Sequence, residues 1–180
     1  MKPKPVAQAL IAALVAFGVI TGACGGDGDG GPTPALEAYV QQVDGLVDQV
    51  AERAKELQEE LSGRLPPSPS EQEQIDATRP FFSGFLAAME DFLDGIGDVE
   101  PPPEVRSAHD DFAGAAQDFA DEIGKIVDQL EEVASQLELE TLLSSPAFNE
   151  AGEAVEQACL KVEKAAQDRE IDVDLNCELE

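Results

Sequence analysis

The chain has 180 residues, with 38 acidic side chains against 11 Lys and Arg, and its formal net charge is −27 at pH 7. This excess of anions opposes contact with phosphate backbones and anionic headgroups, so it excludes nucleic-acid binding and membrane binding through a basic face. One histidine and three cysteines leave few side chains for nucleophilic or redox chemistry.

The first residues have the pattern of a secretory signal. Two lysines precede an apolar run of about 15 residues at 6–20, and small residues then lead to Cys24. A permanent transmembrane helix is the alternative, but it needs roughly 20 apolar residues to cross the hydrocarbon core. Residues 1–23 are therefore predicted to be a signal peptide.

The segment Thr21-Gly22-Ala23-Cys24 resembles the lipobox of bacterial lipoproteins, where a type II signal peptide is cut before an acylated cysteine. Gly22, Ala23 and Cys24 fit that pattern, whereas Thr21 stands where the family prefers Leu or another large aliphatic residue. The resemblance implies lipidation at Cys24, with fatty acids such as palmitate, and an extracytoplasmic protein held on the cell membrane. More than one acyl chain gives a firm anchor. An ordinary signal with a free cysteine is the alternative.

After the cysteine, composition predicts a linker and then one domain. Residues 24–34 are predicted to be the lipidated cysteine and a Gly-rich linker, whose ten residues after the cysteine span about 17–19 Å on average. Without the two signal-peptide lysines, 9 cations and 38 anions remain, a formal net charge of −29. Residues 35–180 are enough for a single domain that buries roughly two-thirds of its unfolded surface.

The first predicted helix runs from about Ala35 to Ser62, because its apolar residues alternate spacings of four and three. Gly63 and the prolines that follow end it. Its apolar stripe consists of Leu36, Val40, Val43, Val47, Val50, Ala54, Leu57 and Leu61, with Tyr39 and Leu46 beside it.

The second predicted helix begins with a capping box formed by Ser70 and Glu73. Pro80 is expected to kink this helix or to separate a short first turn, since it lacks the backbone N–H. The helix is expected to end near Gly95 and Gly97. Its stripe consists of Ile75, Thr78, Phe82, Phe85, Met89, Phe92 and Ile96.

The prolines at 101–103 are expected to set the start of a third helix of about 35 residues, which reaches Leu137. Ser145 followed by Pro146 predicts the start of a fourth helix. The third stripe consists of Val105, His109, Phe112, Ala116, Phe119, Ile123, Ile126, Leu130, Val133 and Leu137. The fourth consists of Phe148, Gly152, Val155, Cys159, Val162 and Ala166.

Four amphipathic helices with short connections predict an all-α fold. We expect an antiparallel up-down four-helix bundle over residues 35–180, with an extended C-terminal tail. An intermolecular coiled coil is the alternative, because the stripes follow heptads. The stripes are wider than a two-stranded coiled coil buries, which favours an intramolecular bundle and a monomer.

Cys159 and Cys177 are an even pair once Cys24 is assigned to lipid. Outside the cytoplasm such a pair is usually oxidised. The helix after Cys159 covers about 15 Å, and the tail can extend some 25 Å, so it can run back to place Cys177 beside Cys159. We therefore expect a structural disulfide, and a redox-active pair, usually a C-x-x-C motif, is the alternative.

The residues predict no catalytic, metal or cofactor site. His109 is the one histidine, and Phe112 occupies the place where helical-bundle lipoproteins resembling imelysin carry Glu in a His-x-x-Glu motif. We expect His109 to be partly buried and bonded to Asp110, Asp111 or a loop carbonyl. The acids at 172–176 are similar to a calcium loop, but Cys177 stands where that loop requires Gly.

Two further segments resemble uncharacterised bacterial surface lipoproteins: Pro102-Pro103-Glu104-Val105 with Ala108-His109, and the stretch 171–177. That resemblance implies no activity. We expect a non-enzymatic binding or interaction module, anchored in the envelope by the lipid on Cys24, with an envelope protein or a cationic ligand as its partner. The alternative is an acidic cation-binding envelope protein, which the 38 carboxylates motivate.

Overall fold

The structure is a computed structural model that describes residues 33–177. Within that range the chain is all-helical, with five helices and no strand. The helices are α1 (Pro34–Arg64), α2 (Glu71–Asp98), α3 (Arg106–Leu130), α4 (Gln136–Leu143) and α5 (Pro146–Gln167). The predicted signal peptide, the lipidation residue Cys24 and almost all of the linker lie outside the described residues.

The starts of α1 and α2 follow local capping chemistry. The Thr33 hydroxyl accepts a hydrogen bond from the Leu36 N–H at 3.2 Å, which satisfies one free donor of the first turn of α1. Ser70 and Glu73 form the capping box that the sequence predicts, with the Ser70 N–H donating to Glu73 Oε2 at 2.8 Å. The beginnings of the first two helices can therefore be read from a few residues each.

Pro80 lies inside α2, which continues unbroken on both sides of it to Asp98. The predicted separation of a short first turn is therefore wrong. Proline cannot donate to the carbonyl four residues earlier, which belongs to the exposed residue Asp76. The helix α2 therefore continues through Pro80 although one backbone hydrogen bond is missing.

The third predicted helix is shorter than expected. It ends at Leu130, and a separate helix, α4, begins at Gln136. Ser135 and Glu138 are the reason: the Ser135 hydroxyl accepts from the Glu138 N–H at 3.3 Å, while Glu138 Oε2 accepts from the Ala134 N–H at 2.9 Å. These reciprocal bonds start a new helix where the apolar spacing predicted a continuous one.

The long helices pack closely in chain order, α1 on α2, α2 on α3 and α3 on α5, while the short α4 rests on α2 and α3. The predicted stripes supply most of the core. The largest fully buried side chains are Leu36, Tyr39, Val43, Ile75, Ile96, Val105, Ile123, Leu130, Val162 and Leu175. The result is a helical bundle with one continuous core.

Aromatic rings fill the core where α2, α3 and α5 meet. Phe119 of α3 stacks on Phe148 of α5 with ring centroids 5.4 Å apart. Phe85 of α2 meets Phe119 edge-on at 6.2 Å. Such ring pairs stabilise beyond the apolar area that they bury, so Phe119 links three helices at one point.

Candidate functional site

A groove runs along the surface between α1 and α2, and we refer to it as the α1–α2 groove. Its volume is about 330 Å³, and it is partly open to solvent. Its lining on α1 is Leu46, Gln49, Val50, Glu52, Arg53 and Glu56, and its lining on α2 is Gly84, Ala87, Ala88, Asp91 and Phe92. Both sets repeat at three and four residues, so each is one face of its helix.

Two leucine–glycine contacts hold the helices together along the groove. A Cβ atom added at Gly84 would lie 2.5 Å from Leu57 Cδ2, and one added at Gly95 would lie 2.5 Å from Leu46 Cδ2. Glycine at these positions therefore allows α1 to approach α2 closely. Along the face between them, Ala87 and Ala88 are too small to fill the space, which leaves a recess.

The groove has an apolar floor and an acidic rim. Phe92 and Ala88 are buried at its base, with exposed fractions of 4% and 7%. Glu52 and Glu56 on α1 and Asp91 on α2 are exposed along its edges. An apolar floor between like-charged rims on two helices is suited to a partner that is apolar on one face and cationic beside it.

Arg53 is the cation in the lining, and two carboxylates already hold it. Its Nη1 atom lies 2.9 Å from Glu56 Oε2 and 3.6 Å from Glu60 Oε1. The hydrogen bond to Glu56 is the main cause of the raised pKa of Arg53. The contact shows how carboxylates at this edge receive a guanidinium group.

His109 and Tyr39 form a buried pair between α3 and α1. The Tyr39 hydroxyl lies 3.3 Å from His109 Nδ1, and the rings meet edge-on with centroids 5.7 Å apart. The expectation that His109 bonds to Asp110, Asp111 or a loop carbonyl is wrong. The spacing within α3 could place His109 inward, but no local signal could identify a partner 70 residues away.

Burial keeps both members of this pair neutral. Burial, with a smaller contribution from the charge of Asp110, raises the pKa of Tyr39 to about 12. Burial also lowers the pKa of His109, which Asp110 partly opposes. The pair is 2% and 6% exposed, so a solute has little access to it. We therefore assign it a structural role.

Cys159 and Cys177 are joined by a disulfide, with Cα atoms 5.5 Å apart. Cys159 lies on α5, and Cys177 is the last residue of the segment 171–177, which has no regular secondary structure. The backbone leaves α5 with Glu170 in the left-handed region at φ 64°. Both cysteines are buried, at 3% and 6% exposed, which is the environment of a structural bond rather than a reactive one.

The segment 171–177 is also held by contacts other than the disulfide. Glu163 Oε2 accepts from the Leu175 N–H at 3.2 Å, and Leu175 is completely buried. On the other side, the pKa of Asp44 on α1 is raised, mainly by burial and further by the charges of Asp48 and Asp174. The segment therefore lies near α1 as well as on α5.

Residues 33–177 contain no group of three or more His, Cys, Asp or Glu side chains placed to hold a metal ion. In the same range, no helix combines the length and the apolar character that crossing a bilayer requires.

Of the predicted site residues, the structure brings together Cys159 and Cys177, while Cys24 lies outside the described part of the chain.

No family model matches the chain, and no curated protein or solved structure matches it either. The α1–α2 groove is therefore a candidate site on the geometry of the described residues alone. Sequence reasoning missed the α1–α2 groove, although Gly84, Ala87 and Ala88 repeat small residues on one face of α2 at spacings of three and four. That repeat is the signal that could have indicated an unfilled helix face.

Proposed function

We propose that this protein is a lipid-anchored envelope protein whose helical bundle is a non-enzymatic binding module. The observation that carries the proposal is the α1–α2 groove, an acid-rimmed apolar recess on a bundle whose α3–α5 interface is filled by side chains. Apolar recesses with a few placed polar groups are the usual form of binding sites.

The bundle that presents this groove is proposed to be antiparallel and up-down, with an extended tail, and to be monomeric. Leu46 meets Gly95 while Leu57 meets Gly84, so positions that increase along α1 contact positions that decrease along α2. In the same way, Lys161 late in α5 contacts Asp111 early in α3 at 2.9 Å. These contacts support neighbouring helices that run in opposite directions.

The non-enzymatic part of the proposal is supported by how the reactive side chains are used. His109 is buried against Tyr39, and Cys159 and Cys177 are bonded to each other. A nucleophile–His–acid arrangement needs an accessible histidine next to a nucleophile. A hydrolase screen of the purified chain provides the check, and turnover that disappears in His109→Gln would contradict the assignment.

The anchor part of the proposal rests on Cys24 and the residues before it. We expect intact-mass measurement of the protein from its native cells to give a chain that begins at Cys24 and carries acyl groups. Cys24→Ser should release the protein from the membrane fraction. An unacylated terminus, or a mature chain that starts elsewhere, would contradict the anchor.

The binding part of the proposal can be tested on intact cells with a photo-crosslinking amino acid. We would place it at Ala87, which is exposed in the groove, and at Ala154, which is exposed on α5, as the matched control. A discrete adduct at Ala87 and none at Ala154 is the expected result. An adduct only at Ala154 would leave a binding module whose site is not the groove, and no adduct at either position contradicts the proposed function.

A further inference from the structure

We propose that the α1–α2 groove binds a basic amphipathic helix from a partner protein, apolar face inward. This inference rests on the binding module proposed above and adds the class of its partner. Three properties of the groove carry it: its length and helical repeat, its small-residue floor, and the sign of its rim charges.

The groove is long enough to lie along about three turns of a bound helix. The lining of α1 runs from Leu46 to Glu56, which corresponds to about 15 Å at 1.5 Å per residue, or roughly three turns of a bound helix. Leu46 and Val50 are half-buried and one turn apart, so they offer apolar contacts at the same repeat. Helix-in-groove recognition uses anchors with this spacing.

The opposite wall allows close approach. Ala87 and Ala88 on α2 present only a methyl group each, and Ala87 is exposed, whereas the Leu57 side chain already covers Gly84. Small residues at these positions let a partner's backbone or large apolar anchors come near the floor formed by Phe92. The recess therefore suits an incoming helix with protruding apolar side chains better than a flat surface does.

The rim determines the charge of the partner. Glu52, Glu56 and Asp91 leave the lining with a formal charge of −2 after Arg53 is counted. Arg53 sits against Glu56 at 2.9 Å, as an arginine of the partner could. Since the whole chain is also strongly acidic, basic residues flanking the partner's apolar face would gain from both local contacts and long-range attraction.

Other occupants fit less well. A second copy of this chain would bring another net charge of −27 to an acidic rim. Nucleic acid and anionic membranes carry the same sign of charge as the rim.

The first test is calorimetric titration of the full chain with synthetic peptides. The probe is a peptide of about four helical turns, with Leu at i, i+3, i+4 and i+7 and Lys or Arg elsewhere. A scrambled peptide has the same charge without the apolar face. We expect the amphipathic peptide to bind at least about tenfold more tightly than the scrambled one, and equal affinities would overturn the proposal.

The second test separates the groove from the general acidity of the protein. Arg53→Gln frees Glu56 within the groove, whereas Arg64→Gln removes the same charge from an arginine at the end of α1, outside the lining. Arg53→Gln should tighten peptide binding by about threefold, while Arg64→Gln changes it little, because one exposed charge pair has a modest effect. Equal changes would overturn the assignment to this groove.

A third comparison removes anions. The triple variant Glu52→Gln, Glu56→Gln and Asp91→Asn should weaken the amphipathic peptide by about tenfold. The control Asp118→Asn, Glu150→Gln and Glu153→Gln removes three exposed acids from α3 and α5 and should have at most about a third of that effect. Thermal unfolding of both variants establishes that they fold, and equal weakening would overturn the proposal.

Different results would contradict the proposed binding module and the proposed class of its partner. If the peptide does not bind while the crosslinker at Ala87 or Ala154 still captures a cell-envelope protein, the partner class proposed here is wrong and the binding module stands. If neither position captures a protein on cells although the peptide binds in solution, the proposed function is wrong, and with it the partner class that rests on it.

Discussion

The two long sides of the bundle use small residues in opposite ways. On the α3–α5 side, Ala116, Ala158 and Ala166 are buried at the helix contact, and a disulfide joins α5 to the segment after it. On the α1–α2 side, Leu57 packs on Gly84, while Ala87 and Ala88 border an unfilled groove. Small residues thus lie inside a filled contact between α3 and α5, and beside an unfilled groove between α1 and α2.

The partner helix explains the difference. On the α3–α5 side, Phe119 of α3 lies 3.7 Å from the Cβ position of Gly152, so a large ring fills the space beside that glycine. Opposite Ala88, α1 presents Arg53, whose guanidinium group lies against the carboxylates of Glu56 and Glu60. A small-residue face therefore becomes filled core or an open groove according to the side chains that the neighbouring helix supplies.

The largest effect should come from the closed side. Phe119→Ala removes a ring that contacts Phe85 and Phe148, and it should lower the free energy of unfolding by about 3–5 kcal/mol. Leu137→Ala is the control: Leu137 is 72% exposed, and its loss should change stability by less than about 0.5 kcal/mol. Urea unfolding measures both, and similar losses would mean that the aromatic cluster is not a continuous core.

The disulfide should have the next largest effect. Cys159 and Cys177 are 18 residues apart, and opening a loop of that size should cost about 3 kcal/mol on the chain-entropy model. The double variant Cys159→Ala and Cys177→Ala is compared with wild-type protein unfolded with and without a reductant. Reduction should destabilise the wild type and leave the double variant unchanged. A wild type unaffected by reductant would contradict the bond.

Tyr39 connects the open side to the closed side and can be observed alone, because it is the single tyrosine. Its pKa of about 12 lies above the ordinary 10.0, so folding favours the neutral phenol. That stability is fully present below pH 10 and is lost as the pH rises from 10 towards 12. Tyrosinate absorbance should therefore titrate near 12 in the folded protein, and a midpoint at 10 would contradict burial.

The smallest effect concerns the glycines of the open side. Gly45 has space around its Cβ position, so Gly45→Ala should stabilise α1 by about 1 kcal/mol. At Gly84 an added Cβ would meet Leu57 at 2.5 Å, and the displacement of that buried side chain should cancel the gain. Thermal unfolding compares the two, and equal stabilisation would mean that α1 and α2 are not in close contact there.

The sequence predicts helices well where periodicity and local chemistry agree. The first helix was expected at about 35–62 and is found at Pro34–Arg64, while Ser145 caps α5 as expected. The same periodicity is wrong at Leu137, which continues the heptad of α3 but is exposed on α4. Capping by Ser135, three residues before Glu138, outweighs apolar spacing there.

The candidate site is harder to predict, because it depends on which helices become neighbours. Cys159 and Cys177 could be paired by counting cysteines. The contact of Tyr39 with His109 joins residues 70 apart, and local patterns carry no information about that distance. The groove needs Ala88 to lie level with Arg53, whose side chain is held by Glu56, rather than with a large apolar residue. That depends on the register of α1 against α2, and no single helix determines it.

We propose above that the α1–α2 side of the bundle is the recognition face and that the α3–α5 side is its scaffold. Amide chemical shifts of the protein, recorded with and without the basic amphipathic peptide, test it most directly. We predict shift changes concentrated at 46–56 and 84–92, with residues 106–130 and 146–167 nearly unchanged. Changes centred on α3 and α5, or spread evenly over all acidic surfaces, would contradict the claim.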